Sequence, residues 1–325
     1  MDGKRHVLVG IDGEEGGRIA LRYGAQEASR LGIGLHLLHV WPDARPLIGD
    51  WRSFTPAVAS DNERMGRRIL DEHAAMARDL APGVEVATTL VHGDRVAHLV
   101  IAANRATLTV LGDESQPLLD KILVGTVLTG VAGKASAPVV IVPAAWSGAP
   151  EPQSARTDVV VAVKSCAGSA ELVRRAMQIA SDRQAPLTLV HAWRLPLVYD
   201  DVIADRVGED GWEEAARTVL RAVVDSVRRD VPDDLEVRID VRHGQPARAL
   251  VDASENASLL LLGRRSHGFA SGHLGATSRA VLRAVSCPVE VLPELTGSEG
   301  LPGLVLEEGG GMLKAAEHPE TITFS

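Results

Sequence analysis

The strongest constraint on this chain is that it states the same sentence twice. Leu35 to Trp41 reads LHLLHVW, and Leu187 to Trp193 reads LTLVHAW, with the same His-x-Trp ending. His92-Gly93 is matched by His243-Gly244. Pro138 to Pro143 (PVVIVP) is matched by Pro288 to Pro293 (PVEVLP). Landmarks that recur at a nearly constant offset of about 150 residues mean a duplicated unit rather than chance similarity. Whatever fold one half adopts, the other half must adopt too.

Each half alternates short apolar runs with helical periodicity. In the first half, His6 to Asp12, Leu35 to Trp41, Val84 to Val91, Leu108 to Leu111 and Pro138 to Pro143 read as buried strands. Arg18 to Leu31, Glu63 to Leu80, Arg95 to Arg105 and Val127 to Ala135 read as the helices between them. Near-continuous apolar strands separated by helices predict a parallel sheet with right-handed crossovers and helices on both faces. Composition agrees, because aromatics are only 3% and the core must be built from Val, Leu, Ile and Ala. The second half repeats the order, with strands at Asp158 to Lys164, Leu187 to Trp193, Val237 to Arg242, Leu259 to Leu262 and Cys287 to Pro293. Residues 1–146 and 157–294 are the two expected domains. Residues 147–156, rich in Pro, Ser and Ala, are the expected linker, and residues 295–325, with a triple-Gly run, the expected disordered tail.

Ligands of open parallel sheets bind outside the carboxyl ends of the strands. Two features fall at that end in the first half. Asp12 closes the first strand. Gly112 closes the fourth, and Gly125-Thr126 is read as opening the helix that follows. Glycine lets backbone approach a ligand, and N–H groups at a helix start bind phosphate oxygens. The second half carries a weaker copy, Gly263-Arg264-Arg265-Ser266 and then Gly275-Ala276, with Lys164 in place of the aspartate.

These residues, taken together, resemble the universal stress protein family in its tandem form. The carriers are the strand ending in Asp12, the His-x-Trp strand ends, the His-Gly turns and the Pro-Val-x-x-Val-Pro strands. The resemblance implies two tandem Rossmann-like domains of the adenine nucleotide alpha hydrolase type, each a five-stranded parallel α/β sheet. It also implies ATP or a related adenine nucleotide as ligand, mainly in the first repeat. ATP-binding members carry Gly-x2-Gly-x9-Gly-Ser/Thr after the fourth strand. Here Gly112, Gly125 and Thr126 fall at that spacing and Ser115 stands at the middle glycine. Asp12 fills the adenine-contacting position and Val40 the backbone contact at the end of the second strand; Gly263 and Gly275 are the second-repeat counterparts of the loop glycines. The alternative is an interaction or scaffold module whose loops no longer hold nucleotide. The family also implies pairing of the two domains within the chain through their terminal strands, and allows a homodimer.

Other classes are disfavoured. A net charge of −9 gives no basic footprint for nucleic acid. The first apolar run is too short for a membrane span or signal peptide. The two cysteines, Cys166 and Cys287, have no metal-ligand spacing and are read as reduced. No acid–base pair or Walker-type lysine stands where catalysis would need it, so the expectation is a non-enzymatic protein of the cytoplasm.

Overall fold

The computed structural model describes residues 5–41, 56–113, 121–146, 158–164, 169–194, 209–231, 234–264 and 274–293. Ser115, Cys166, Ser266, the expected linker 147–156 and the expected tail 295–325 lie outside the described residues. The chain divides into two compact units, Met1–Gln153 with Gly263–Glu294, and Ser154–Leu262 with Leu295–Ser325.

The first unit is built from β1 (His6–Ile11), α1 (Glu15–Leu31), β2 (Gly34–Trp41), α2 (Pro56–Leu80), β3 (Val86–His92), α3 (Arg95–Ala103), β4 (Leu108–Gly112), α4 (Lys121–Lys134) and β5 (Val139–Val142). The strands are parallel and ordered β3-β2-β1-β4-β5. Successive strands step from β1 out to β3 and then return past β1 to β4. Right-handed crossovers therefore place α1 and α2 on one face and α3 and α4 on the other. The contacts agree: α1 packs on α2, and α3 on α4. With both faces covered, alternate side chains of β1 are all excluded from water. Val7 and Val9 join the core beneath α1 and α2, and Leu8 is equally inaccessible on the other side.

Helix ends follow local chemistry. α1 stops at Gly32, whose φ of 62° is the left-handed conformation that glycine enters at low cost. α3 starts behind Asp94, which accepts from Ala97 N–H at 2.7 Å. Three helices of the first unit begin earlier than periodicity suggests, α1 by three residues, at Glu15, and α2 and α4 by more. α2 opens at Pro56, seven residues ahead of the expected Glu63, and proline suits the first helical position. α4 opens at Lys121, six residues ahead of the expected start, so Gly125-Thr126 lies within the helix rather than at its mouth.

In the second unit β6 (Asp158–Ala162), β7 (Leu187–Trp193), β8 (Val237–His243) and β9 (Ala257–Gly263) are parallel, in the order β8-β7-β6-β9. α5 (Ala170–Asp182) and α6 (Glu209–Val227) pack together, and α7 (Pro246–Ser254) packs on β6 and β7. The segment Gly263–Glu294 adds α8 (Ala276–Leu282) and β10 (Val289–Leu292) to the first unit. There β10 runs antiparallel to β5, with Val291 opposite Val139 and Val289 opposite Ile141. Pairing covers the edge that β5 would otherwise expose.

The duplication extends to single hydrogen bonds. His39 Nδ1–H donates to Ile11 O at 2.7 Å, and His191 Nδ1–H donates to Val163 O at 2.8 Å. Gly93 N–H donates to Trp41 O, and Gly244 N–H to Trp193 O. Both glycines sit at φ 131°, a conformation that other residues rarely adopt. Trp41 lies over His92 with ring centroids 4.0 Å apart, and Trp193 over His243 at 4.4 Å. The His-x-Trp and His-Gly signatures are therefore one packing device used twice.

Candidate functional site

β1 and β4 are neighbours, and the sheet order reverses between them. This is the switch point where two loops leave in opposite directions and open a crevice. Asp12 follows β1 there and is exposed. Its Oδ1 accepts from Glu14 N–H at 3.0 Å and from Gly17 N–H at 3.1 Å. Glu14, the residue at the N-cap position of α1, makes no side-chain cap of its own. Asp12 therefore satisfies two N–H groups at the start of α1, and the positive end of the helix dipole favours its charge. The carboxylate is held in one orientation before any ligand arrives.

Glycines bring the other parts close. A Cβ on Gly112 would stand 1.9 Å from Gly16 O, so the end of β4 is in backbone contact with the first turn of α1. A Cβ on Gly17 would stand 2.6 Å from Asp12 Oδ1. Gly17 and Gly112 are thus required by the crevice, and Gly16, buried beside them, supplies the backbone oxygen that Gly112 packs against. The available signal was a Gly-Gly pair right after a strand-terminal aspartate, where a helix start must pack against a neighbouring strand. After Gly112 the chain stays attached to the sheet, with Asp113 N–H donating to Val142 O at 2.9 Å.

Val40 lies near the end of β2, buried, opposite Val91 of β3. The structure thus gathers Asp12, Gly16, Gly17 and Gly112 at one place and puts Val40 at the same end of the sheet. Gly125 and Thr126 sit in the second turn of α4. A helix supplies orphan N–H groups only from its first turn, so the reading of this pair as the helix start is corrected. Ser115 lies outside the described residues.

The second-repeat positions divide between the units. Lys164 follows β6 in the second unit. Gly263 ends β9, exposed, and Gly275 is the N-cap of α8, with no side-chain cap. Arg264 N–H donates to Leu292 O at 3.0 Å, the counterpart of the Asp113 bond. Its guanidinium donates from Nη1 to Gly133 O and Ala135 O, at 2.9 and 2.7 Å. Arg264, in the weaker copy of the phosphate loop, is thus the C-terminal cap of α4. Among the described residues, no group of three His, Cys, Asp or Glu side chains is arranged to hold a metal ion. No described helix is long and apolar enough to cross a membrane.

Comparison with known proteins agrees with the architecture. The profile of the Universal stress protein family matches residues 4–143 and again 156–293. Universal stress protein Rv2623 of Mycobacterium tuberculosis (strain ATCC 25618 / H37Rv) is 29% identical over 297 residues, covering 89% of this chain and 96% of its own length. Universal stress protein Rv2005c of the same strain is 29% identical over 302 residues, covering 89% and 97%. Among solved structures, a universal stress protein from Archaeoglobus fulgidus DSM 4304 superposes with a TM-score of 0.64 at 20% identity, covering 89% of this chain and 96% of that one.

Proposed function

The chain belongs to the universal stress protein family, in tandem form, and on that premise we propose that it binds ATP or a related adenine nucleotide in the crevice of its first repeat. The observation that carries this reading is the fixed orientation of Asp12. Its Oδ1 is tied to the start of α1, and the residue is exposed at the switch point of the sheet. An adenine amino group is a donor, and a carboxylate in a fixed pose accepts from it without first losing conformational freedom. The second repeat has Lys164 at the corresponding place, which repels a donor. One site per chain follows. The protein acts as a binding switch rather than a catalyst, in the cytoplasm, with the nucleotide favouring one conformation over another. The antiparallel pair of β5 and β10 supports association of the two repeats within one chain.

A second reading has its own support. Gly112 and Gly16 are already in backbone contact, and Oδ1 of Asp12 is already engaged, so both features also serve folding alone. On that reading the protein is an interaction module without nucleotide. Calorimetric titration of ATP into the purified chain separates the two. Saturation at one ATP per chain, weakened roughly 10- to 100-fold by Asp12→Ala, is expected for the loss of one charge-assisted hydrogen bond. Absence of binding by the wild-type chain favours the interaction module.

A further inference from the structure

The face of the first sheet covered by α3 and α4 carries a feature that the nucleotide reading does not use. The two helices meet closely at Gly130, where an added Cβ would lie 3.2 Å from Val96 Cγ1. Together with the segment entering α8 they bound an open groove of about 720 Å³. Val96, Val100, Ile101 and Leu274 give it apolar walls, and Lys134 and Arg279 also line it. Ile101 is 55% exposed, on a helix whose Leu99 and Ala103 already serve the core. Ile101 thus adds exposed apolar surface beside the half-buried Val96 and Val100.

The charges restrict what that is. Among the described residues neither Lys134 nor Arg279 makes an ion pair. The acid in the groove, Asp94, has its Oδ1 engaged by Ala97 N–H at the start of α3. Among the described residues, two cations without an ion-pair partner therefore stand beside apolar walls, against the single carboxylate of Asp94, on a chain whose net charge is −9.

We propose that this groove binds a small amphipathic anion: an unbranched or lightly branched apolar body with a single carboxylate-type head. The volume lies in the range of small-ligand clefts, roughly 300–1,000 Å³. The apolar body covers Val96, Val100, Ile101 and Leu274. The head lies between Lys134 and Arg279, where the guanidinium presents a planar fork that matches a carboxylate. A neutral apolar ligand leaves both cations without a counter-charge. A polar polyanion such as a nucleotide leaves the apolar walls uncovered. None of these residues belongs to the Asp12 crevice, so failure of this inference and failure of the nucleotide reading are separate events.

The test is calorimetric titration of the full chain with decanoate, octanoate and 1-decanol, each below its aggregation concentration, with and without ATP. One decanoate per chain is expected. Octanoate should bind at least tenfold more weakly, since each buried methylene is worth about fourfold. The alcohol should also bind at least tenfold more weakly than decanoate. The double change Lys134→Glu and Arg279→Glu, at exposed positions, should erase the preference for decanoate over decanol, and Ile101→Glu should remove binding of both. Far-UV circular dichroism checks that each variant is folded. No saturable decanoate binding, equal affinity for the alcohol, or a charge-reversed variant that binds as well as wild type would overturn the proposal. So would displacement of decanoate by ATP, or a dimer of the wild-type chain that Ile101→Glu dissolves, because the groove would then have another occupant.

Discussion

The imidazole of His39 donates from Nδ1 to the carbonyl oxygen of Ile11 at 2.7 Å, joining β2 to the last residue of β1. Both residues are buried, with His39 7% and Ile11 4% exposed. His191 makes the same bond to Val163. The bond fixes the ends of two adjacent strands just where Asp12 leaves the sheet. His39→Ala removes the donor from a buried carbonyl. A loss of about 1–3 kcal/mol in urea unfolding is expected, and His191→Ala should give a similar loss. A change below about 0.5 kcal/mol at both positions would show that the carbonyls find other donors.

Gly112→Ala should be among the most damaging single-methyl additions in the chain. Its Cβ would meet Gly16 O, a backbone atom that moves only if α1 or β4 moves. A loss of about 2 kcal/mol or more is expected, the upper part of the range for overpacking. Gly130→Ala is the comparison, because its Cβ would meet the Val96 side chain, at 3.2 and 3.4 Å from its two methyls, rather than backbone, and alanine is the better helix former. Thermal melts of the two variants should separate clearly, with Gly112→Ala lower.

Asp12 has two separable roles. Asp12→Asn keeps an oxygen for the N–H groups of Glu14 and Gly17 but removes the charge; Asp12→Ala removes both. The alanine variant should lose about 1 kcal/mol of stability, the usual cost of deleting a helix-start acceptor. The asparagine variant should lose less. If ATP binding depends on the carboxylate, both should weaken it, so stability and affinity will not move together.

Stability should fall on acidification through one identifiable group. His36 has its pKa lowered to about 4, by burial first and then by the neighbouring His6, whose ring centroid is 5.4 Å away. Between pH 6.5 and about 4 the unfolded chain binds a proton that the folded chain refuses. Stability is therefore fully present above pH 6.5 and declines as the pH drops through that window. The expected contribution is about 2 kcal/mol after allowing for partial solvent access. Urea unfolding of wild type and His36→Gln at pH 7.5 and 4.5 checks this; the variant should show the smaller pH dependence.

Arg264→Ala should loosen the end of α4. The guanidinium bonds to Gly133 O and Ala135 O would be lost, and two C-terminal carbonyls would lack a cationic partner. A loss of about 1–2 kcal/mol is expected, with faster hydrogen exchange at the C-terminal turn of α4.

The fold was legible because its signals are local. Strand runs such as LHLLHVW are apolar on both faces, helices between them show their own period, and the repeat doubles every signal. Asp12 and Gly112 were legible as ends of strands for the same reason. Periodicity marks only the part of a helix whose apolar residues recur at helical spacing, so it does not place the first residue of α2 or α4. Nor does local pattern reveal contacts between distant residues. That Gly112 and Gly17 must lack side chains follows only from the approach of β4 and Asp12 to α1. That Arg264 caps a helix of the other repeat follows only from the packing of Gly263–Glu294 within the first unit. The sequence by itself determined the secondary structure, the duplication and the end of the sheet where ligands belong, because these depend on neighbours along the chain. The tertiary structure alone decided the orientation of Asp12, the partner of Arg264 and the existence of the α3–α4 groove, because each depends on atoms that only folding brings within a few ångströms.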